Sequence, residues 1–257
     1  VNGWPPKHNI GAAAGIGRSL RQYYGDTTRL ASMAALYAQF VKPGDLAFDI
    51  GAHVGNRVAA FLALGARVVA VEPQPAAFRV LRRLYGQNPY VTLVHAAVSD
   101  APGALTMRLN TANPTVSTAS LEFIASADGA PGWEGQRWDA EITVEALTLD
   151  QLIRRHGRPS FVKVDVEGLE DKVLSGLSRP LPALSFEFTT IQRDVARACL
   201  AELARLGAYR FNAALGESQR LEFSAPVDAG AIASWLDALP LDANSGDIYA
   251  TLNQMKG

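Results

Sequence analysis

The apolar and polar positions of this chain change period several times, and the changes mark out its elements. Leu30, Met33, Ala34, Tyr37, Phe40 and Val41 recur at helical spacing, which predicts an amphipathic helix. Pro43-Gly44-Asp45 stops it and turns the chain. Short apolar runs then alternate with helical patterns. Leu46 to Ile50, Arg67 to Val71 and Val91 to Val98 read as strands; Val58 to Leu64 and Ala76 to Tyr85 read as helices. Near-continuous apolar strands separated by helices predict an α/β fold, a mostly parallel sheet with helices on both faces.

The pattern shifts between Asp100 and Leu149. Leu105 to Leu109 and Glu141 to Glu145 alternate strictly, with Gly, Pro, Ser and Asn between them. They predict a β-hairpin inserted at about residues 101–148, around a mobile loop from Asn110 to Asp139. The α/β alternation resumes with a helix at Leu149 to His156, a strand at Phe161 to Val166, a helix at Leu169 to Leu177 and a strand at Ala183 to Phe188. A helix at Asp194 to Leu206 follows, and Tyr209 to Asn212 and Asp247 to Leu252 form late strands. Residues 1–28 hold Gly and Pro without a sustained period, so they read as an N-terminal arm over one domain, 29–257.

Composition narrows the classes. At 48% hydrophobic, 257 residues bury a sizeable core and disorder is excluded. With 24 basic against 25 acidic residues the chain is not built to hold nucleic acid by bulk charge. The single cysteine, Cys199, allows neither an internal disulfide nor a cysteine zinc site, which favours a reducing compartment. No apolar run nears the roughly 20 residues needed to span a bilayer, and Val1 to Asp26 lacks the apolar segment of a secretion signal. The expectation is a cytoplasmic protein with a small-molecule partner; its oligomeric state is not legible.

Candidate chemistry concentrates in Phe48-Asp49-Ile50-Gly51-Ala52-His53-Val54-Gly55-Asn56. Asp49 ends a strand, and Gly51 and Gly55 bracket a tight turn into a helix, where backbone approaches a ligand closely and free N–H groups face it. Glu72, followed by Pro73, closes the second strand twenty-one residues beyond Gly51. A carboxylate there accepts both hydroxyls of a ribose. A dinucleotide would need Gly-x-Gly-x-x-Gly, and His53 stands where the second glycine should be. The acid ahead of the turn suits the ammonium of an amino-acid tail instead. These residues point to S-adenosylmethionine, with Ala97 as a wall for the adenine and Ser99 or Asp100 as its polar contact.

These motifs resemble the FkbM family of methyltransferases. The resemblance extends over Val71-Glu72-Pro73, Ala96 to Asp100 with Gly103, Leu147 to Asp150, Val173 to Gly176 and Gly246 to Ala250. Its most specific block is Val162-Lys163-Val164-Asp165-Val166-Glu167-Gly168-Leu169-Glu170. Together the matches span about residues 45 to 252. The resemblance implies a Rossmann-like seven-stranded sheet, S-adenosylmethionine as methyl donor, and O-methylation of a hydroxyl on a sugar, polyketide or similar metabolite. His53 departs from the Asn more usual in the family.

A hydroxyl acceptor benefits from a general base. Asp165, at the C-terminal end of its strand beside the cofactor crevice, is the first candidate, and Glu187 in Leu184-Ser-Phe-Glu-Phe188 is the second. Lys163, Glu167 and Glu170 read as a buried Lys–acid pairing that ties the sheet to a helix. Two carboxylates make an incomplete cage for a divalent ion, so no metal is assigned. His95 reads as a core residue. Trp133 and Trp138 serve equally as a lid over a ring-shaped acceptor or as anchors of their loop. The competing functions are N-methyl transfer and a non-catalytic module that binds S-adenosylmethionine.

Overall fold

The computed structural model describes residues 7–253. In chain order the elements are α1 (Lys7–Tyr24), α2 (Thr27–Tyr37), β1 (Leu46–Ile50), α3 (Asn56–Ala63), β2 (Arg67–Val71), α4 (Pro75–Tyr85) and β3 (Val91–Val94). The insertion follows with β4 (Ala97–Val98), β5 (Gly103–Leu109), α5 (Leu121–Ala127) and β6 (Ala140–Leu147). The chain then runs α6 (Leu149–His156), β7 (Phe161–Val164), α7 (Glu170–Ser175), β8 (Ala183–Thr189), α8 (Arg193–Leu206), β9 (Tyr209–Leu215), α9 (Ala229–Ala238) and β10 (Ser245–Leu252).

Seven strands form one sheet in the order β3-β2-β1-β7-β8-β10-β9. All neighbours from β3 to β8 are parallel; β10 runs antiparallel to both β8 and β9. Every residue of β1 and β7 is buried, as expected of central strands covered on both sides. On one face Phe48, Ile50, Val162, Val164 and Phe186 pack under Leu152, Val173, Cys199 and Leu203. On the other, Ala47, Phe161 and Tyr249 meet Met33, Tyr37, Val58 and Phe61 from α2 and α3. Burial of such side chains contributes about 25 cal/mol per Å² of apolar surface. This second face also carries Asp49 and Lys163, paired in register across β1 and β7.

Three expectations need correction. Of the expected N-terminal arm, residues 1–6 lie outside the described residues; residues 7–24 have the sustained period that was not foreseen, a helix whose Ile16, Leu20 and Tyr23 pack with Val54 and Ala77. That i, i+4, i+7 stripe is helical spacing, obscured by four glycines among residues 3–17. The strand foreseen from Val91 to Val98 breaks at His95, and β4 leaves the main sheet to pair with β6. His95 is therefore exposed rather than in the core, stacked on Phe78 at 4.4 Å with Nε2 3.1 Å from the Pro73 carbonyl.

The inserted hairpin forms as foreseen, β5 antiparallel to β6, and β4 makes it a three-stranded sheet. The segment from Asn110 to Asp139 is not an open loop. It folds α5 and a 3-10 turn at Pro114–Val116 around Phe123, Ala127 and Trp133. Trp133 meets Phe123 edge-on at 5.1 Å, and Trp138 Nε1 donates to the Val116 carbonyl at 2.9 Å. Both tryptophans anchor this segment.

Candidate active site

The site lies at the C-terminal ends of β1, β2 and β7. After β1 the backbone N–H groups of Gly51 and Ala52 both donate to the Val71 carbonyl, at 2.9 and 3.0 Å. Gly51 has φ +84°, and a Cβ there would stand 1.7 Å from the Asp165 carbonyl oxygen. Only glycine lets the ends of β1 and β7 come so close. Glu72 braces the turn from below: Oε2 accepts from the His53 N–H at 2.8 Å and Oε1 from the Gln74 N–H at 2.7 Å. Burial pushes its carboxyl up to about 7 despite those two bonds.

Several polar groups here have no partner among the described residues. Both carboxylate oxygens of Asp49, Nδ2 of Asn56 and both ring nitrogens of His53 are buried and unbonded. Asp49 is 1% exposed, and burial raises its carboxyl to about 7. Burial lowers His53 to about 4, so its ring is neutral at pH 7. The cleft above is lined by Gly51, His53, Asn56, Glu72, Pro73 and Gln74, with Ala96, Ala97, Val98, Leu105 and Met107 as an apolar wall. Tyr23 from α1 and Thr115, Ser117 and Ala119 from the insertion line its remaining side. The insertion is tied to the floor where Gln74 Nε2 donates to the Pro114 carbonyl at 3.0 Å.

A second cavity shares Tyr23, Arg57, Thr115, Asp165 and Glu167 with this cleft and continues to Glu187, Glu217 and Asp247. Lys163, fully buried on β7, reaches Asp165 Oδ2 at 3.0 Å and Asp247 Oδ1 at 2.8 Å. It thus ties strand to strand, where a tie to a helix was foreseen. Burial opposes ionisation of Asp165, but Lys163 and Arg57 outweigh it and hold its carboxyl below the ordinary range. Burial, with the Asp165 charge beside them, raises Glu167 and Glu187 well above theirs. Asp165, Glu167 and Glu187 place carboxylate oxygens within 4.8 Å of one another. Glu167 thus joins the two acids noted in the sequence. Three hard oxygen donors suit a divalent cation, but the Lys163 ammonium already supplies a counter-charge to Asp165, and no metal is assigned.

The methyltransferase FkbM domain model matches residues 49–222. The chain belongs to this family. The hexuronic acid methyltransferase AglP of Haloferax volcanii is 25% identical over 154 residues, 59% of this chain and 57% of AglP. The chain therefore spans a little over half the length of that curated relative. Among solved structures, the O-methyltransferase from Bacillus cereus in complex with SAH has a TM-score of 0.48 at 12% identity, covering 97% of this chain and 92% of that one. Aeropyrum pernix fibrillarin with bound S-adenosyl-L-methionine has a TM-score of 0.45 at 12% identity, covering 86% and 74%.

The FkbM family is S-adenosylmethionine-dependent, and the cleft fits that cofactor. A buried carboxylate with no partner suits an ammonium, and the glycine turn leaves backbone open to a ligand. Of the residues singled out in the sequence, Gly51, His53, Asn56, Glu72, Pro73 and Ala97 line the cleft. Asp49, Ala52 and Gly55 sit behind it: Asp49 and Ala52 are buried, and a Cβ on Gly55 would meet the Tyr85 ring at 2.6 Å. Ser99 and Asp100 lie outside the lining, hydrogen-bonded to each other at 3.1 Å. Asp165 and Glu187 are brought together at the second cavity.

Sequence reasoning missed Tyr23, Arg57, Thr115, Glu217 and Asp247. They come from α1, α3, the insertion, the turn after β9 and β10; only Asp247 sits in a recognised motif, Gly246 to Ala250, and that motif does not state its chemistry. The helical stripe through Tyr23 was the available signal. No helix among the described residues is long and apolar enough to cross a membrane.

Proposed function

We propose that this protein is an O-methyltransferase that transfers the methyl group of S-adenosylmethionine to a hydroxyl of a sugar or related small metabolite. The observation that carries the reading is the acid-lined second cavity opening onto the cofactor cleft at Asp165 and Glu167. Carboxylates accept hydrogen bonds from hydroxyl groups and Arg57 donates them, the pairing a polyhydroxylated ring requires. The hexuronic acid acceptor in the name of the Haloferax volcanii relative points the same way.

When bound, the cofactor supplies a methyl group already activated on sulfonium sulfur, leaving alignment and water exclusion to the protein. In this reading Asp49 takes the cofactor's ammonium, Glu72 its ribose hydroxyls, and Ala97 with Val98 and Met107 its adenine. Gly51, Ala52, His53, Gly55 and Asn56 shape the turn around the amino-acid tail, and Pro73 sets the direction in which Gln74 leaves β2. Asp165, kept ionised by Lys163, and Glu187 hold the acceptor hydroxyl by hydrogen bonds. Tyr23 and Thr115 cover the junction and keep water out.

The test has two stages. Isothermal titration with S-adenosylmethionine and with SAH should show binding of both; binding of neither refutes the reading. Formation of SAH is then measured over a panel of D-glucuronate, D-galacturonate, their neutral parent sugars and the matching amino sugars. Turnover of sugars confined to acceptors whose free amine becomes methylated would assign N-methyl transfer instead.

A further inference from the structure

Of the three carboxylates at the junction, Asp165 is committed to a neighbour. Asp165 accepts from Lys163 Nζ at 3.0 Å, and a Glu187 carboxylate oxygen lies within 4.8 Å of it. Burial and the neighbouring Asp165 charge raise the Glu187 carboxyl well above its ordinary range. The Glu167 carboxylate has no hydrogen-bond partner among the described residues, although Glu167 is only 7% exposed and lines both cavities.

Its placement is enforced from three sides. Glu167 has φ +58°, a conformation a non-glycine residue keeps only when its surroundings demand it. Thr118 Oγ1, from the insertion, donates to the Glu167 carbonyl at 2.6 Å. Glu170 accepts from the Val166 N–H at 2.9 Å and the Gly168 N–H at 3.1 Å, closing the turn around Glu167. A free, buried carboxylate held at a fixed place where two cavities join has the geometry of a proton acceptor.

We propose that Glu167 is the general base of the reaction, the role sequence reading gave to Asp165. The inference rests on the O-methyltransferase reading above. As the acceptor oxygen forms its bond to the methyl carbon, its O–H bond breaks and the proton passes to a Glu167 oxygen. The electron pair of the methyl–sulfur bond stays on sulfur. The products are a methyl ether and SAH, and Glu167 keeps the proton until the next sulfonium cofactor binds and displaces it to solvent.

The surrounding charges favour this division of labour. From β7 and the turn after it, Lys163 holds Asp165 ionised, which makes Asp165 a weak base. Burial, then the Asp165 and Glu170 charges, push Glu167 upward, so that it takes a proton readily. Across the cavity, Asp247 on β10 is paired with Lys163, and Glu217 after β9 faces Arg57 of α3 at 3.4 Å. The Tyr23 phenol, raised by burial, and the His53 ring both stay neutral at pH 7.

The experiment compares SAH with sinefungin, an analogue in which a carbon bearing an amine replaces the methylated sulfur, so that an ammonium stands where the methyl group would be. Titration calorimetry in buffers of different ionisation enthalpy counts the protons released on binding. At pH 7 the wild type should release up to about one proton more with sinefungin than with SAH, because the ammonium favours the ionised form of Glu167. Glu167→Gln should bind SAH as the wild type does, lose the extra proton, and bind sinefungin about tenfold more weakly. Unchanged proton release and sinefungin affinity in Glu167→Gln overturn the inference. Release that survives there but vanishes in Asp165→Asn returns the role to Asp165. If Glu167→Gln does not fold, Glu167→Asp withdraws the carboxylate instead; an undiminished preference for sinefungin over SAH in that variant also overturns it. A wild type that binds neither compound refutes the cofactor reading rather than the choice of base.

Discussion

Replacing Lys163 with methionine tests how the polar centre of the sheet is held together. The side chain is fully buried and bridges Asp165 and Asp247 at 3.0 and 2.8 Å. Methionine conserves most of its volume, so the substitution removes charge rather than packing. Loss of one partner from a buried ion pair costs about 3–5 kcal/mol, since the remaining charge is left uncompensated. Here the carboxylates retain 23% and 10% side-chain exposure at the cavity, so water recovers part of that cost and the low end, about 3 kcal/mol, applies. For a chain of this length each kcal/mol lowers Tm by about 2–4 °C, giving a fall of about 6–12 °C.

The pH dependence has a defined sign. Burial opposes Asp165 ionisation, but Lys163 and Arg57 hold its folded pKa below the unfolded value. The pair's contribution is therefore present above the ordinary Asp range, about 4, and is lost as pH falls through the lowered folded pKa. Burial likewise opposes the Lys163 charge, and the two aspartates outweigh it, raising its folded pKa. That contribution is complete below about pH 10, the ordinary Lys value, and fades only above it. Thermal denaturation of wild type and Lys163→Met should thus differ most between about pH 5 and 10 and converge in acid. A difference under about 1 kcal/mol at pH 7, or one independent of pH, would refute the assignment of Lys163 as the electrostatic tie of the sheet.

Three other substitutions probe the cofactor cleft and the insertion. Gly51→Ala should abolish SAH binding by calorimetry and lower Tm, because its Cβ has no room beside the Asp165 carbonyl and φ +84° costs a non-glycine residue about 1–3 kcal/mol. Burial places Glu72 at about 7, and only its ionised form accepts both ribose hydroxyls; SAH affinity should therefore weaken as pH falls through 7. Glu72→Gln should bind about tenfold more weakly and with a shallower pH dependence, the remainder coming from Asp49, which burial places at about 7. Trp133→Ala should cost about 3 kcal/mol locally, read as faster amide exchange from Leu121 to Asp139 with β1 and β2 unchanged, since Trp133 packs in a cluster separate from the sheet's.

The order of elements, the parallel central strands and the glycine turn beside Glu72 were legible because each depends on neighbours close along the chain. A strand buried on both faces is apolar throughout, and a turn into a helix states its demand for glycine locally. The breaks in legibility were also local in origin. Val91 to Val98 has the composition of one strand, and nothing at His95 announces that Ala97 and Val98 pair with β6 instead of β2. The glycines around α1 masked the three apolar positions that seat it. The segment between β5 and β6 has the composition of a loop because its small core draws on residues scattered from Val116 to Trp138, and on Ile191 outside it.

The sequence by itself determined the fold class, the family and the cofactor, all written in contiguous motifs whose chemistry is local. Tertiary structure alone decided the surroundings of each acid. Lys163, Asp165 and Glu167 are read together in one short stretch, yet Asp165 stays ionised because Lys163 and Arg57 of α3 both face it, and Lys163 is anchored as well to Asp247 on β10. Glu167 is left without a partner only because Thr118 and Glu170 hold its backbone where they do. The state of a carboxyl depends on burial and on charges a few ångströms away, and those neighbours are brought in from distant parts of the chain.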